Sequence, residues 1–203
     1  MSDNLSYEAL KEILQKRLNE KRYFHSLCVA DEAKRLAEKY GGDAEKCYLS
    51  GLLHDITKNA PNEEHLQIFE TFGIMLNEIE KNAKKLWHAI SGSAYIKFIL
   101  GIEDDELLDA VRYHTTGRAN MTLIEKLLYL ADYIEPTRIF NDCKKIREYF
   151  YTNTCDIQKR LNDTIVLSLK YTISDLLEKG EFIHPKTLEC YNALVKITGD
   201  YNE

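Results

Sequence analysis

An adjacent histidine and aspartate, His54 and Asp55, close an apolar run that begins at Gly51. Both side chains are metal ligands, since imidazole nitrogen and carboxylate oxygen suit zinc, iron and manganese. At the end of an apolar helix, burying such groups is costly unless something compensates them, and a bound cation is the simplest compensation. The pair therefore predicts a metal site. The alternative is that two polar residues simply end a helix.

Four further potential ligands lie in helical, largely apolar surroundings: His25, His88, His114 and Asp132. Taken singly, each has an ordinary explanation as a core histidine, a packing residue or a charge at a helix end. Taken together, six ligands on several helices can converge at the centre of a helical bundle, where cofactor sites are commonly built. An aspartate can bridge two cations, and the absence of thiolates disfavours a structural zinc site.

Four cationic residues lie near these ligands in the sequence: Arg22, Lys58, Arg118 and Arg138. Guanidinium and ammonium groups bind phosphate oxygens well. Each could be a solvated surface charge, but their recurrence beside the ligands favours a phosphate-containing substrate. Metal-assisted hydrolysis fits this set, because a bound cation lowers the pKa of water and polarises a phosphoryl oxygen.

The elements that must position these residues are predicted to be helices. Apolar residues recur at helical spacing almost throughout, for example in the stripe that begins at Phe24 and ends before Gly41. Ser6 and Asp43 are predicted helix caps, and Pro185 precedes a last helix. No convincing strand alternation occurs. We therefore predict an all-α fold, a helical bundle with the metal site at its centre.

Length and composition predict one domain over 1–203, with a metal-binding core at about 20–140 and C-terminal helices packed onto it. The net charge of −6 argues against nucleic-acid binding but allows a small anionic substrate. With no apolar run long enough for a membrane span and no apolar signal core, we expect no membrane partner and a cytoplasmic location. The five cysteines lack C-x-x-C spacing, which is typical of reduced thiols.

The order of ligands, H…HD…H…H…D, resembles the HD-domain metal-dependent phosphohydrolase superfamily. Segments 22–26, 51–58, 112–118 (RYHTTGR) and 130–138 (LADYIEPTR) look like the YqeK family within it, and the likeness extends to the tail. Members of that family are symmetrical diadenosine tetraphosphate (Ap4A) hydrolases that bind iron and release two ADP. The resemblance therefore implies an HD-domain bundle with Ap4A as substrate and ADP as product. One departure is Trp87, where a smaller apolar residue is expected.

Carried onto this chain, the resemblance implies four primary metal ligands: His25, His54, Asp55 and Asp132. His88 and His114 would complete a second metal position or contact phosphate. Iron is the expected metal, with manganese, zinc or another divalent cation as alternatives. A homodimer is a further expectation from the family.

The predicted catalytic residues are Asp55, Lys58, His88 and His114. The predicted substrate-binding residues are Arg22, His25, Lys58, His88, His114, Arg118 and Arg138. Asp55 could accept the proton of water or only hold the metal, and Glu135 could orient a ligand or form a structural salt bridge. The candidates for stacking on adenine, each equally explicable as core, are Tyr23, Tyr113, Tyr133 and Phe140.

Two other histidines are predicted to lie outside the site, His65 as an exposed helix residue and His184 in a turn. Two other functions stay open at this point. One is hydrolysis of another nucleotide, such as a dNTP or a cyclic nucleotide. The other is a metal-dependent nucleotide-binding regulator with little turnover, although a degenerate binder would be expected to have lost ligands.

Overall fold

The structure is a computed structural model that describes residues 6–199, and within this range it is built of α-helices without a β-strand. The helices are α1 (Tyr7–Arg17), α2 (Glu20–Tyr40), α3 (Ala44–Leu53), α4 (Asn62–Thr71), α5 (Glu78–Asn82), α6 (Trp87–Ala94), α7 (Asp105–Tyr113), α8 (Leu123–Ile134), α9 (Asn141–Thr152), α10 (Ile157–Glu178) and α11 (Pro185–Thr198). A 3₁₀ turn precedes α6 and a π-helical turn follows it. The predicted all-α fold is confirmed.

The predicted helix ends are found where the sequence places them. The Ser6 hydroxyl accepts a hydrogen bond from the backbone of the first turn of α1, and the Asp43 carboxylate does the same for α3. Gly41 ends α2 with a φ of 73°, a left-handed conformation that glycine adopts without a Cβ clash. Pro185 is the first residue of α11, where its missing N–H has no helical partner to lose.

The core is centred on α2, α3, α7 and α8, with α10 and α11 packed outside α8. One hydrophobic cluster extends from Leu10 in α1 to Val195 in α11. Phe24, predicted as part of the buried stripe of α2, is instead 57% exposed. The inward face of α2 carries His25, Val29 and their neighbours at helical spacing, and Phe24 is rotated about a quarter turn away from it.

A smaller cluster outside the main core contains Phe69, Trp87 and Ile90. Trp87 packs edge-on against Phe69 at 5.9 Å, and its indole N–H donates to the Glu80 carbonyl. The large side chain, which was not expected at this position, is thus accommodated by packing between α4 and α6. No helix within residues 6–199 is long and apolar enough to cross a bilayer. The single-domain prediction over 1–203 includes residues outside the described range and stays a prediction.

Gly51 lets α3 lie directly against α2. A Cβ at this position would come within 2.7 Å of the Ala30 Cα, which belongs to the backbone of α2. Replacing a helical glycine by alanine normally stabilises a helix by about 1 kcal/mol. Here the collision must push the two helices apart, so we expect Gly51→Ala to lower the free energy of unfolding by about 1–3 kcal/mol in urea denaturation.

Gly92→Ala is the matched control, because a Cβ there meets its nearest neighbour, the Thr57 hydroxyl, at an ordinary 3.4 Å. Its free energy of unfolding should stay within about 1 kcal/mol of the wild type. Equal stability of Gly51→Ala and Gly92→Ala would show that close contact between α2 and α3 is not what Gly51 provides.

Candidate metal centre

All six predicted ligand side chains converge in the middle of the bundle. His25 lies on α2, His88 on α6 and Asp132 on α8, while His54 and His114 are the residues at which α3 and α7 end, with Asp55 next in the chain. Except for Asp132, which is partly open, the six are buried. Five separate segments therefore supply ligands to one point, which a pattern of isolated helix-end charges would not do.

One half of the cluster is formed by His25, His54, Asp55 and Asp132. The Nε2 atom of His25 lies 3.0 Å from Asp132 Oδ1 and 4.0 Å from Asp55 Oδ2. The Nε2 atom of His54 lies 3.3 Å from the same Asp55 oxygen and 3.9 Å from Asp132 Oδ1. Two imidazoles and two carboxylates thus face a common centre.

The other half uses the second oxygen of Asp55. Its Oδ1 atom lies 3.2 Å from His88 Nε2 and 3.6 Å from His114 Nε2. The two Nε2 atoms are 3.2 Å apart. Asp55 therefore directs one oxygen into each half of the cluster, the arrangement in which a carboxylate can bridge two cations.

Three of the imidazoles have their outer nitrogens fixed. His54 Nδ1 donates to the Gly51 carbonyl and His114 Nδ1 to the Val111 carbonyl, each at 2.7 Å. His25 Nδ1 donates to Glu135 Oε1 at 3.1 Å. Because these acceptors hold the proton on Nδ1, the lone pair of Nε2 points into the cluster, as metal ligation requires.

The donor atoms of the cluster fit a metal ion. His25 Nε2, His54 Nε2 and Asp55 Oδ1 are buried and have no hydrogen-bond partner among the described residues. Buried polar atoms are nearly always partnered, and three unpartnered ones facing one point require an explanation. Nitrogen and oxygen donors within 4.8 Å of one another match the preferences of zinc, iron and manganese.

The carboxylates of the cluster are held in the ionised form that binds cations. Burial favours neutral Asp55, but His54 and the Lys58 ammonium outweigh it and hold the pKa of that carboxyl well below its usual range. Desolvation also disfavours the ionised form of the partly open Asp132, but the neighbouring Arg138 guanidinium outweighs it and holds the pKa of that carboxyl well below its usual range. Burial, reinforced by Lys58, lowers the pKa of His88 to about 4, so this imidazole is neutral near pH 7.

Three of the four predicted phosphate-binding cations lie against the cluster. Arg22 Nη1 donates to Asp55 Oδ2 at 2.7 Å, and Arg138 binds the side chain and the carbonyl of Asp132. Lys58 Nζ lies 3.0 Å from His88 Nε2 and 3.8 Å from Asp55 Oδ1. Each is partly exposed, so each can reach a ligand from the outer side.

Arg118, the fourth predicted cation, is committed elsewhere. Its guanidinium forms a two-pronged pair with buried Glu125, at 2.8 and 2.6 Å, and also reaches Asp109 at 2.9 Å. A two-pronged pair of this kind occupies the guanidinium N–H donors that a phosphate group would need. Arg118 thus links α7 to α8, and its contact with phosphate stays a prediction.

Glu135 contacts the predicted ligand His25 directly. It is fully buried, accepts from His25, and also accepts from the backbone N–H and the hydroxyl of Thr137 at 2.7 and 2.5 Å. Arg147 holds the same turn by donating to the carbonyls of Ile134 and Arg138. The turn after α8 thus has a defined shape, and Arg147 is a supporting residue that sequence patterns did not indicate.

A buried hydroxyl chain supports the second half of the cluster. His65 Nδ1 lies 2.7 Å from Ser91 Oγ, Ser91 Oγ lies 2.9 Å from Thr57 Oγ1, and the Thr57 hydroxyl donates to the His88 carbonyl at 2.9 Å. The prediction that His65 is exposed is wrong: it is 6% exposed because α4 packs this face of its helix against α6. The chain joins the turn carrying Asp55 to the helix carrying His88.

His184 is buried and caps α11, where its Nδ1 accepts from the Lys186 backbone. Its Nε2 lies 3.6 Å from Glu80, and it contributes to none of the ligand groups found among residues 6–199. This placement agrees with its prediction as a turn residue.

Comparison with known proteins places this architecture in a family. Residues 22–137, more than half of the chain, match the HD domain. The chain belongs to the HD-domain family. It is 38% identical over 93% of its length to the symmetrical bis(5'-nucleosyl)-tetraphosphatase of Bacillus subtilis (strain 168), covering 96% of that protein. It is 40% identical over 91% of its length to the protein of the same name from Halalkalibacterium halodurans, covering 94% of it.

A crystal structure from Clostridium acetobutylicum, described as a predicted HD superfamily hydrolase involved in NAD metabolism, has the same fold. It matches 95% of this chain and 98% of its own, with a TM-score of 0.87 and 38% identity. The fold is therefore shared over 95% of the chain, which extends well beyond the residues matched to the HD domain.

The hydrogen bond from His25 to Glu135 should tune the metal affinity of this HD domain. The substitution Glu135→Gln keeps the shape of the side chain and removes its charge. The His25 imidazole is then held less firmly in its orientation and is less basic. We expect the affinity for a divalent metal to fall about 10–100-fold, measured by metal titration of the chelator-treated protein. Glu103→Gln, an exposed neutralisation, is the control. Unchanged affinity in Glu135→Gln would reduce Glu135 to a structural role.

Proposed function

We propose that this chain hydrolyses diadenosine tetraphosphate symmetrically to two ADP, with a divalent metal, iron, bound in the six-residue cluster. The observation that carries the proposal is the convergence of four histidines and two aspartates beside three cations. It is supported by 38–40% identity, over more than nine tenths of the chain, to two proteins named symmetrical bis(5'-nucleosyl)-tetraphosphatases. A polyphosphate substrate matches both kinds of residue at the site, because the histidines and aspartates can hold a metal and the three cations can bind phosphate oxygens.

The primary metal position in this proposal is held by His25, His54, Asp55 and Asp132. A second position uses the other oxygen of Asp55 with His88 and His114. When bound, a divalent cation lowers the pKa of a water molecule and polarises a phosphoryl oxygen. Since Asp55 has a pKa well below its usual range, it is a poor proton acceptor, and its proposed role is to hold the metal.

The cations are proposed to exchange partners when substrate binds. Arg22 and Arg138 neutralise Asp55 and Asp132 in the structure. With a cation held by the cluster, Asp55 and Asp132 would no longer need Arg22 and Arg138 for neutralisation, and the two guanidinium groups would be free to bind phosphate oxygens. The fold thus holds two guanidinium groups at the site that could bind phosphate.

Lys58 is proposed to assist the departing ADP. Burial lowers the pKa of its ammonium group, although Asp55 partly offsets the effect, so that proton is easier to donate than that of an exposed lysine. Lying beside His88 and Asp55, the ammonium can approach the phosphate oxygen from which the bond to phosphorus breaks. Water adds to an inner phosphorus atom and gives up a proton to solvent. The bond between that phosphorus and the bridging oxygen breaks, and the bridging oxygen takes the proton of Lys58 and leaves with ADP.

The direct test is product analysis. Metal-reconstituted protein incubated with Ap4A should release ADP as the only nucleotide, two molecules for each substrate consumed, resolved by ion-exchange chromatography. AMP with ATP would contradict the cleavage register. Cleavage of dNTPs or cyclic nucleotides without cleavage of Ap4A would favour another HD-type hydrolase, and tight nucleotide binding without turnover would favour a regulator.

Removing either member of the His-Asp pair should eliminate metal and activity together. In His54→Ala and Asp55→Ala we expect loss of bound metal by elemental analysis and loss of turnover, with the helical far-UV circular dichroism retained. Asp31→Ala, an exposed carboxylate on α2, is the control. Either variant retaining full metal and activity would exclude the pair from the site, and the metal found in wild-type protein tests the assignment of iron.

A further inference from the structure

A cleft of about 250 Å³ leads outward from the metal cluster. Its inner end is lined by His114 and Asp132, which belong to the cluster, and by Arg138, which binds Asp132. Its outer end is lined by Phe140 and Asp142 at the start of α9. The volume is below the range of about 300–1,000 Å³ typical of pockets for drug-sized ligands, so the cleft suits part of a nucleotide.

Phe140, at the mouth of this cleft, departs from the usual burial of aromatic rings and from the usual residue types at a helix N-cap. It is 62% exposed, although burying such a ring is strongly favourable. It also occupies the N-cap of α9, where Ser, Thr, Asp or Asn would satisfy a backbone donor, and no side chain caps that helix. A residue that serves neither packing nor capping points to a functional use of its ring.

The other aromatic candidates for stacking are already engaged. Tyr133 also lines the cleft, but its hydroxyl is bound to Thr172 and its ring is tilted against Tyr129. Tyr113 is covered by cations, with the Arg118 guanidinium 4.7 Å from its centroid. Tyr23 packs against the main core. Phe140 is therefore the ring that offers a free face to the cleft.

Asp142 adds an acceptor beside this ring. Its carboxylate lines the cleft and forms no hydrogen bond or ion pair with the residues described by the structure. An ionised carboxylate only accepts hydrogen bonds. It therefore binds the amino group of a base and repels a carbonyl oxygen, which is also an acceptor. Guanine presents a ring N–H next to its amino group, adenine presents an amino group alone, and uracil presents no amino group.

We propose that this cleft binds one base of the nucleotide, with Phe140 stacking on a purine and Asp142 accepting hydrogen bonds from its amino-bearing edge. The inference rests on the proposed function for the placement of phosphates at Arg138 and the metal. It adds a base specificity that the metal cluster cannot provide: guanine and adenine are accepted, guanine at least as well as adenine, and uracil is disfavoured.

The test measures binding of ADP, GDP and UDP to metal-loaded protein by isothermal titration calorimetry, which needs no turnover. We expect GDP to bind at least as tightly as ADP, and both to bind more tightly than UDP. Phe140→Ala should weaken ADP and GDP binding about tenfold, and Phe140→Trp should restore it, since base stacking on an aromatic ring contributes about 1–3 kcal/mol. Asp142→Asn should weaken GDP about tenfold, ADP less and UDP not at all.

Two matched controls remove similar groups outside the cleft lining. Ile139→Ala deletes an exposed apolar side chain next to Phe140, and Glu148→Gln neutralises an exposed carboxylate on α9. Both should bind all three nucleotides like the wild type. Both Phe140 and Asp142 are at the surface of the cleft, and a circular dichroism melt would reveal any loss of folding.

Wild-type affinities in Phe140→Ala, or UDP binding as tightly as ADP, would overturn the base site. That outcome is distinguishable from failure of the proposed function. If Ap4A is cleaved to ADP and Phe140→Ala retains the wild-type KM, the activity stands and the base site falls. If Ap4A is not cleaved but the purine preference and its loss in Phe140→Ala are observed, the base site stands on its own.

Discussion

The structure depends on a carboxylate, Asp55, ionised at the centre of a helical bundle. An isolated buried charge would be strongly destabilising, so its surroundings must compensate it. Four imidazoles surround it, Arg22 binds one of its oxygens and Lys58 lies near the other. The elements that supply these groups are therefore held in one relative arrangement, and the close approach of α3 to α2 at Gly51 is part of it.

The sequence predicted the features that local chemistry determines. Helical periodicity, caps such as Ser6 and the glycine at the end of α2 are properties of short segments, and each was found. The six candidate ligands could be selected because buried histidine and aspartate are rare unless they have partners. Their convergence was predictable as a set, whereas the division of Asp55 between two halves depends on side-chain rotation, which spacing does not encode.

The error at His65 and the questions that the sequence left open concern contacts between distant segments. His65 was predicted to be exposed because its helix reads as polar, but α6 covers it and Ser91 binds it. Arg118 follows a ligand segment as closely as other candidates do, yet Glu125 pairs with it on the next helix. Glu135 had two equally good interpretations until its 3.1 Å contact with His25 was seen. Only tertiary packing decides such cases.

The charges around Asp55 bear on the order in which a metal ion and a polyphosphate would bind. Three carboxylates, Asp55, Asp132 and Glu135, face three cations, Arg22, Lys58 and Arg138, so the protein alone is close to neutral at this point. A polyphosphate arriving first would compete with internal carboxylates for the same guanidinium groups. A divalent cation bound first would leave the centre with excess positive charge and would release those groups. The arginine pairings would therefore make polyphosphate binding depend on prior metal binding, and the metal-free protein would bind nucleotide weakly.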